Sequence, residues 1–217
     1  MEGPETSLMM GRTDFVKQSP LTRDALAFAN ERHAGQTRDL DGAPFVTHPL
    51  EVACLLHEAG YSDDVVAAGV LHDVLEDTDA LPEELASRFG HDVAALVAAV
   101  SDDPSIEDPT ERKAALRLQV AEAGECASVI FAADKVSKAR ELRVRMSRGL
   151  SRDEDRAKLE HYEASLAMLS DLLPGHHLVD ELRMELEAVQ ALPAGGVYAP
   201  PSLPGGTSSG VRFRRPG

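Results

Sequence analysis

The segment LHDVLEDT, residues 71–78, places four ionisable side chains inside an otherwise apolar stretch. His72 and Asp73 are followed about one helical turn later by Glu76 and Asp77. Because residues three or four apart share a helix face, these four groups are expected to form one polar strip. Carboxylates this close repel one another, and a bound divalent cation would remove that repulsion and use the neutral imidazole as a ligand. The segment therefore indicates either a metal centre or the solvent-facing side of an amphipathic helix.

Two residues elsewhere in the chain favour the metal centre. His48 lies in THPL, where the following proline is expected to hold it in an extended conformation at a helix entrance. Asp134 lies late in the apolar run VIFAADK, where an unpaired carboxylate would be costly. With His72 and Asp73 they supply two imidazoles and two carboxylates, a mixed nitrogen and oxygen ligand set that suits Mn, Fe or Zn.

The composition predicts a folded, cytoplasmic protein. The chain has 217 residues, of which 43% are hydrophobic and 27% charged, the balance of a globular domain. We expect a flexible leader over residues 1–20, a folded domain over 21–191 and a disordered Pro/Gly/Ser-rich tail over 192–217. No membrane span or signal peptide is evident, so no membrane partner is expected. A net charge of −15 disfavours a nucleic-acid polymer as partner and leaves a small anionic ligand open.

The folded part is predicted to be an all-α bundle. Ala, Leu and Glu are abundant, and no run alternates apolar and polar residues over strand length. Thr22 and Thr110 are predicted helix N-caps, and Ser151 with Glu154 is a predicted capping box. The two cysteines are predicted to be buried free thiols that form neither a disulfide nor a zinc site: Cys54 and Cys126. The apolar helix faces are also compatible with a homodimer.

The joint order of several motifs resembles the HD-type hydrolase domain of the RelA/SpoT family, most closely its small stand-alone alarmone hydrolases. The motifs are HAGQTR at 33–38, GAPFVTHP, LHDVLEDT, FGHDV and AADK. The similarity extends from about residue 21 to about residue 170. It implies an HD-domain helical bundle.

The resemblance also implies an activity and assigns residues to it. Glu76 and Asp77 would act on the attacking water, and one Mn²⁺ per site would be held by four ligands: His48, His72, Asp73 and Asp134. The substrate would be ppGpp or pppGpp, hydrolysed at the 3′ position to pyrophosphate and GDP or GTP. The chain beyond the hydrolase region is too short for the synthetase domain of longer relatives, so we expect degradation without synthesis.

Five residues are candidates for contacts with this anionic substrate: Arg38, Lys135, Lys138, Arg140 and Tyr162. Arg38 matches an arginine in the nucleotide-binding loop of the family, and Tyr162 matches a tyrosine that lines the pocket. Lys135 and Arg140 could supply phosphate-binding charge or be ordinary cations of the helix surface. His33 is interpreted as a supporting residue and not as a ligand.

The sequence departs from the family pattern beside the expected pocket. Lys138 stands where the family has an asparagine, Ser137 where it has histidine or tyrosine, and Asp39 where it has a basic residue. These changes affect the predicted guanine specificity more than the predicted hydrolytic activity. One alternative is therefore an adenosine alarmone (ppApp) or the phosphate of NADPH as substrate, with the same site. Another is a catalytically silent nucleotide-binding module, against which the presence of Glu76 and Asp77 counts.

Overall fold

The computed structural model describes residues 14–150 and 155–192. Within these ranges the chain forms eleven helices: α1 (Asp14–Gln18), α2 (Pro20–Arg32), α3 (Thr47–Glu58), α4 (Asp63–Leu71), α5 (Val74–Asp77), α6 (Pro82–Phe89), α7 (His91–Val100), α8 (Pro109–Ala123), α9 (Glu125–Ser147), α10 (Asp155–Leu172) and α11 (His177–Gln190). Across the described ranges, β pairing is limited to one isolated bridge between Thr37 and Pro44. The predicted all-α class is confirmed.

Helix α9 is the centre of the bundle. It packs against α3, α4, α7, α8, α10 and α11. Every residue from 127 to 137 is buried, and many of these residues are small, which allows the neighbouring helices to approach closely. Polar residues in this stretch, including Asp134 and Ser137, must therefore find their partners inside the protein.

The predicted N-caps at Thr22 and Thr110 are wrong. Ser19 caps α2, since its Oγ accepts a hydrogen bond from the backbone N–H of Thr22 at 3.2 Å. Asp108 caps α8, since its Oδ1 accepts from the backbone N–H of Thr110 at 2.9 Å. In both helices a proline occupies the first helical position, so the cap is the residue before the proline.

The HD segment does not form one continuous helix. Helix α4 ends at Leu71 and α5 begins at Val74. Nδ1 of His72 donates at 2.8 Å to the carbonyl oxygen of Gly69, which in an uninterrupted helix would accept from the backbone N–H of Asp73. The expected polar strip is consequently divided, and the two residues at the break face the interior.

His48 lies in the first turn of α3, so the extended conformation expected before Pro49 is wrong. Proline is tolerated in the first helical turn, where its missing N–H has no helical acceptor. Helix α3 packs closely on α4 at Gly69, where an added Cβ would lie 2.5 Å from Cδ1 of Leu56. This contact fixes the helix that carries His48 against the helix that leads into His72.

The described residues extend the folded part towards the N-terminus. Phe15 and Val16 of α1 are buried in the core, so the packed structure includes residues before the expected boundary at 21. Residues 1–13, the predicted capping box at 151–154 and the tail from 193 lie outside the described residues. Cys54 is buried as predicted, but Cys126, in the first turn of α9, is exposed; the two form no disulfide. None of the described helices has the length and apolarity needed to cross a bilayer.

Candidate active site

The four predicted metal ligands meet in the interior. They come from α3, from the break between α4 and α5, and from α9, and each is at most 4% exposed: His48, His72, Asp73 and Asp134. Nε2 of His48 lies 3.2 Å from Nε2 of His72 and 3.1 Å from Oδ1 of Asp134. Nε2 of His72 lies 3.0 Å from Oδ2 of Asp73. We refer to these four residues as the HD cluster.

Hydrogen bonds behind the two imidazoles set which ring nitrogen faces the cluster. Nδ1 of His72 can only donate to the carbonyl oxygen of Gly69. Ser137 donates its hydroxyl hydrogen to Oε2 of Glu51 at 2.8 Å, so its oxygen accepts from Nδ1 of His48 at 2.9 Å. Both neutral imidazoles therefore present the Nε2 lone pair to the cluster. Two lone pairs 3.2 Å apart, beside two carboxylates, repel one another unless a proton or a metal cation lies between them.

The geometry of His48, His72 and Asp134 fits one divalent metal ion, since each offers a ligand atom and these atoms lie within 4.8 Å of one another, with Asp73 beside them. Ligand atoms that bind one ion at about 2.1 Å lie roughly 3.0–3.5 Å apart. The Nε2 to carboxylate distances in the cluster run from 3.0 to 3.4 Å. Oδ2 of Asp73 is buried and makes no hydrogen bond, although both Nε2 atoms lie close to it. An unsatisfied buried carboxylate oxygen aimed at two lone pairs is an arrangement that a cation completes.

The charged side chains in and beside the HD cluster strongly shift the pKa values of their neighbours. Burial lowers the pKa of His72, but the charges of Asp73 and Asp134 outweigh it and raise the pKa to about 10. Burial opposes ionisation of both aspartates, yet the nearby imidazoles and lysines hold each carboxyl pKa well below its usual range. A proton on Nε2 of His72 and a metal ion would therefore compete for the same negative charge.

Two lysines of α9 bind the carboxylate of Asp134 from different sides. Lys135 is buried and donates to Oδ2 at 2.5 Å, with its Nζ 4.3 Å from the centre of the Phe131 ring. Lys138 is partly exposed, and its Nζ lies 2.9 Å from Oδ1 of Asp134 and 3.6 Å from Oδ1 of Asp73. Burial lowers the pKa of both lysines, but for Lys138 the two carboxylate charges prevail and raise its pKa well above normal.

Glu76 and Asp77 lie on α5, next to the cluster and exposed to solvent. Oε1 of Glu76 accepts a hydrogen bond from the backbone N–H of Asp102 at 2.7 Å. Partial loss of hydration raises the pKa of Glu76, and although the hydrogen bond from the Asp102 backbone lowers it, the charge of the Asp102 carboxylate raises it again. Loss of water and the charge of Asp73 likewise raise the pKa of Asp77. Both groups are thus better proton acceptors than ordinary surface carboxylates.

A cavity of about 350 Å³ adjoins the HD cluster. His48 belongs to both the cluster and the cavity wall, whereas Lys138 lines the wall and contacts Asp134 of the cluster. Tyr162 lines the wall from α10. The wall carries four cationic side chains: Arg38, Lys138, Arg145 and Lys158. It also includes two carboxylates, Asp39 and Glu141, and Arg38 is paired with Glu141 at 2.9 Å. Cations outnumber carboxylates among the lining residues, which suits an anionic ligand, and two of these cations also pair with carboxylates outside the lining, Lys138 with Asp134 and Arg145 with Asp155.

Two of the five predicted substrate contacts lie elsewhere. Lys135 is enclosed in the core, as described above. Arg140 donates from Nη1 to Oε1 of Glu51 at 2.8 Å and from Nη2 to Glu181 of α11. Neither lines the cavity, whereas Arg38, Lys138 and Tyr162 do.

His33 supports the loop that carries Arg38. Its Nδ1 is 2.8 Å from Oε1 of Gln36, and its ring packs against Phe45 with 4.8 Å between the ring centres. Gln36 in turn donates to the backbone oxygen of Asp77 at 2.8 Å. The interpretation of His33 as a supporting residue agrees with these contacts.

Several residues at the site were not anticipated: Glu51, Asp102, Glu141, Arg145 and Lys158. Glu51 follows His48 by three residues on α3, a spacing that could have indicated a shared face. The positions of Arg145 and Lys158 on the cavity wall depend on how α9 and α10 pack, for which the sequence carries no local signal.

The fold and the site define an HD domain. The sequence profile of the HD domain family matches residues 25–172, well over half of the chain, and the chain belongs to that family. The predicted HD-domain bundle is therefore confirmed.

Within this class, the chain is similar to the metazoan SpoT homologues, which confirms the resemblance to the stand-alone group. It is 41% identical over 125 residues to the guanosine-3′,5′-bis(diphosphate) 3′-pyrophosphohydrolase MESH1 of Danio rerio, covering 55% of this chain and 67% of that protein. Identity to the same protein of Homo sapiens is 42% over 125 residues, covering 55% and 68%. The solved structure of a metazoan SpoT ortholog that hydrolyzes ppGpp superposes with a TM-score of 0.67 at 30% identity, covering 79% of this chain and 94% of the other.

Proposed function

We propose that this chain is a metal-dependent guanosine-3′,5′-bis(diphosphate) 3′-pyrophosphohydrolase, which converts ppGpp and pppGpp to GDP and GTP with release of pyrophosphate. The observation that carries the proposal is the adjacency of the HD cluster and the cationic cavity, which share His48, while Lys138 on the cavity wall contacts Asp134 of the cluster. The named activity of the MESH1 relatives supports the same substrate class.

The metal would be held by His48, His72, Asp73 and Asp134, and Mn²⁺ is the ion that we propose. When bound, a divalent ion lowers the pKa of a coordinated water and neutralises phosphate charge. Nitrogen and carboxylate ligands in equal number suit Mn²⁺, as they do Fe²⁺ and Zn²⁺.

Glu76 is proposed as the general base. The hydrogen bond from Asp102 holds its Oε1, which leaves Oε2 to accept the proton of the attacking water. The water oxygen then bonds to the phosphorus attached to the 3′ oxygen, and the bond from that phosphorus to the 3′ oxygen breaks. The 3′ oxygen takes a proton as it leaves. Asp77 is proposed to orient the water and the groups around it.

The cavity wall is proposed to bind the nucleotide. Lys138 is placed between the cluster and the cavity, where its ammonium can contact the phosphate that reacts. Arg38 and Tyr162 lie on the same wall and are proposed to contact the rest of the nucleotide. Because Lys135 and Arg140 do not line the cavity, we do not assign them substrate contacts.

A second candidate keeps the site and changes the ligand to an adenosine nucleotide, either ppApp or NADPH. Lys138 and Asp39 both line the cavity, so two of the three departures from the family pattern fall where the ligand would lie. A long cation in place of an amide changes the hydrogen bonds that this position can offer a bound nucleotide, since an ammonium donates but cannot accept.

The test is product release by the purified protein with Mn²⁺ when ppGpp, pppGpp, ppApp and NADPH are offered separately. We expect the highest kcat/KM for ppGpp or pppGpp and no turnover in the presence of EDTA. Faster turnover of an adenosine ligand would establish the second candidate. Absence of metal-dependent turnover with all four would favour the silent nucleotide-binding module.

Lys138 is expected to weaken metal binding. Lys138→Met keeps the length of the side chain but removes a positive charge beside two ligand carboxylates. We expect Mn²⁺ to bind about tenfold more tightly by isothermal titration calorimetry, because the ammonium no longer opposes the cation. Lys17→Met, at an exposed ion pair of α1, is the control. Weaker binding in Lys138→Met would mean that the lysine orients the carboxylates and does not compete with the metal.

A further inference from the structure

A buried chain of hydrogen bonds links the metal ligand His48 to the surface of the bundle. Nδ1 of His48 is 2.9 Å from Oγ of Ser137, and Oγ is 2.8 Å from Oε2 of Glu51. The other oxygen of Glu51 accepts from Arg140 at 2.8 Å. Arg140 is in turn paired with Glu181 on α11. The chain therefore runs from His48 through α9 and back to α3, the helix that carries His48 itself.

The chemistry of these groups gives the chain one direction. A guanidinium can only donate and an ionised carboxylate can only accept. The hydroxyl of Ser137 has a single hydrogen, which it donates in the hydrogen bond to Glu51. The oxygen of Ser137 can then only accept from His48, which places the imidazole hydrogen on Nδ1.

Glu51 is able to keep this role because it stays ionised. Burial raises the pKa of its carboxyl, but the hydrogen bonds from Arg140 and Ser137 outweigh burial and lower it. Ser137 is almost fully buried, at 1% exposure, so water does not replace either of its partners.

We propose that Glu51 and Ser137 are positioning residues that fix the tautomer of His48, so that its Nε2 lone pair is always available to the metal. The proposal rests on the metal centre put forward above and deepens it. Neither residue touches the ligand position: both act through His48. A carboxylate that accepts a hydrogen bond from a metal-bound histidine commonly orients the ring. Here Ser137 lies between the carboxylate of Glu51 and the ring of His48.

The isosteric variant Glu51→Gln should reverse the direction of the chain. Because Arg140 can only donate, the amide oxygen of the glutamine must face Arg140, and its NH₂ must face Ser137. Ser137 would then accept from the glutamine and donate its own hydrogen to Nδ1 of His48. The imidazole hydrogen would move to Nε2, where it blocks metal binding.

The test uses the full chain in two measurements that need no nucleotide. Two-bond ¹H–¹⁵N correlation spectra of the metal-free protein, with His48→Asn for assignment, report which nitrogen of the neutral ring carries hydrogen. We expect Nδ1–H in the wild type and Nε2–H in Glu51→Gln. Titration with Mn²⁺ should show affinity reduced about 10- to 100-fold in Glu51→Gln and in Ser137→Ala. In the Ser137→Ala background, Glu51→Gln should have no further effect.

Matched controls separate positioning from general damage. Ser165→Ala removes another fully buried helix serine, and Glu84→Gln changes another glutamate paired with an arginine. Both should keep wild-type Mn²⁺ affinity and the Nδ1–H tautomer. If His48 keeps Nδ1–H in Glu51→Gln, or if Ser137→Ala binds Mn²⁺ as the wild type does, the proposal is overturned. A wild type that binds Mn²⁺ with the expected tautomer but leaves ppGpp intact would retain the positioning role and remove the proposed substrate.

Discussion

Asp73→Asn is expected to reduce kcat/KM for ppGpp by about a thousandfold or more, since the metal is proposed to supply several kcal/mol of transition-state stabilisation. The substitution preserves the shape of the side chain and removes its charge. Oδ2 of Asp73 is the buried oxygen that makes no hydrogen bond and lies close to both Nε2 atoms. With an amide in its place, the cluster retains one carboxylate for two imidazoles and should lose most of its affinity for a divalent cation.

Activity and metal content should therefore fall together in Asp73→Asn. Both are measured on the same preparation, the metal by elemental analysis after equilibration with Mn²⁺. Asp171→Asn, at an exposed position of α10, is the control and should behave as the wild type. If Asp73→Asn keeps its metal and its turnover, Asp73 is not a ligand and the cluster must be reassigned to the remaining three residues.

The four proposed ligands are assigned together by the resemblance to HD-type hydrolases, and one of them, Asp134, also stands out chemically. A carboxylate in the apolar run that forms the buried centre of α9 is costly unless it has a partner. That argument concerns residue types and burial, which the apolar run around Asp134 already indicates. It does not require knowledge of how the helices are arranged.

The hydrogen bonds around the ligands could not be predicted in the same way. Glu51 and Ser137 are 86 residues apart, and Arg38 and Glu141 are 103 residues apart. Such pairs depend on the rotation of each helix within the bundle, which local periodicity does not determine. The break at His72 has a similar origin, because it depends on a ring nitrogen that bonds to Gly69.

The sequence also does not distinguish the different positions of the two lysines of α9, although they are close together in the chain. Lys135 and Lys138 are three residues apart, and both are predicted substrate contacts. Since α9 is surrounded by other helices, no polar face distinguishes the inner lysine from the outer one. The structure places Lys135 against the Phe131 ring and Lys138 at the cavity.

Glu76→Gln is expected to reduce kcat by about 10²- to 10⁴-fold while Mn²⁺ affinity stays within about threefold of the wild type, the pattern of a lost general base. Glutamine retains an oxygen that can accept from the backbone N–H of Asp102, so α5 should keep its position. What it lacks is the ability to take a proton from water. The effects on kcat and on Mn²⁺ affinity are separable because Glu76 is exposed beside the cluster, whereas the four proposed ligands are buried within it.

Comparison of Glu76→Gln with Asp73→Asn distinguishes loss of the general base from loss of the metal. Steady-state kinetics and Mn²⁺ titration are carried out on both, with Glu83→Gln in the first turn of α6 as the control for loss of an exposed carboxylate. A Glu76→Gln protein that loses its metal would place Glu76 among the ligands. One that binds metal and hydrolyses ppGpp normally would transfer the role of base to Asp77, whose pKa is also raised by loss of water and by the charge of Asp73.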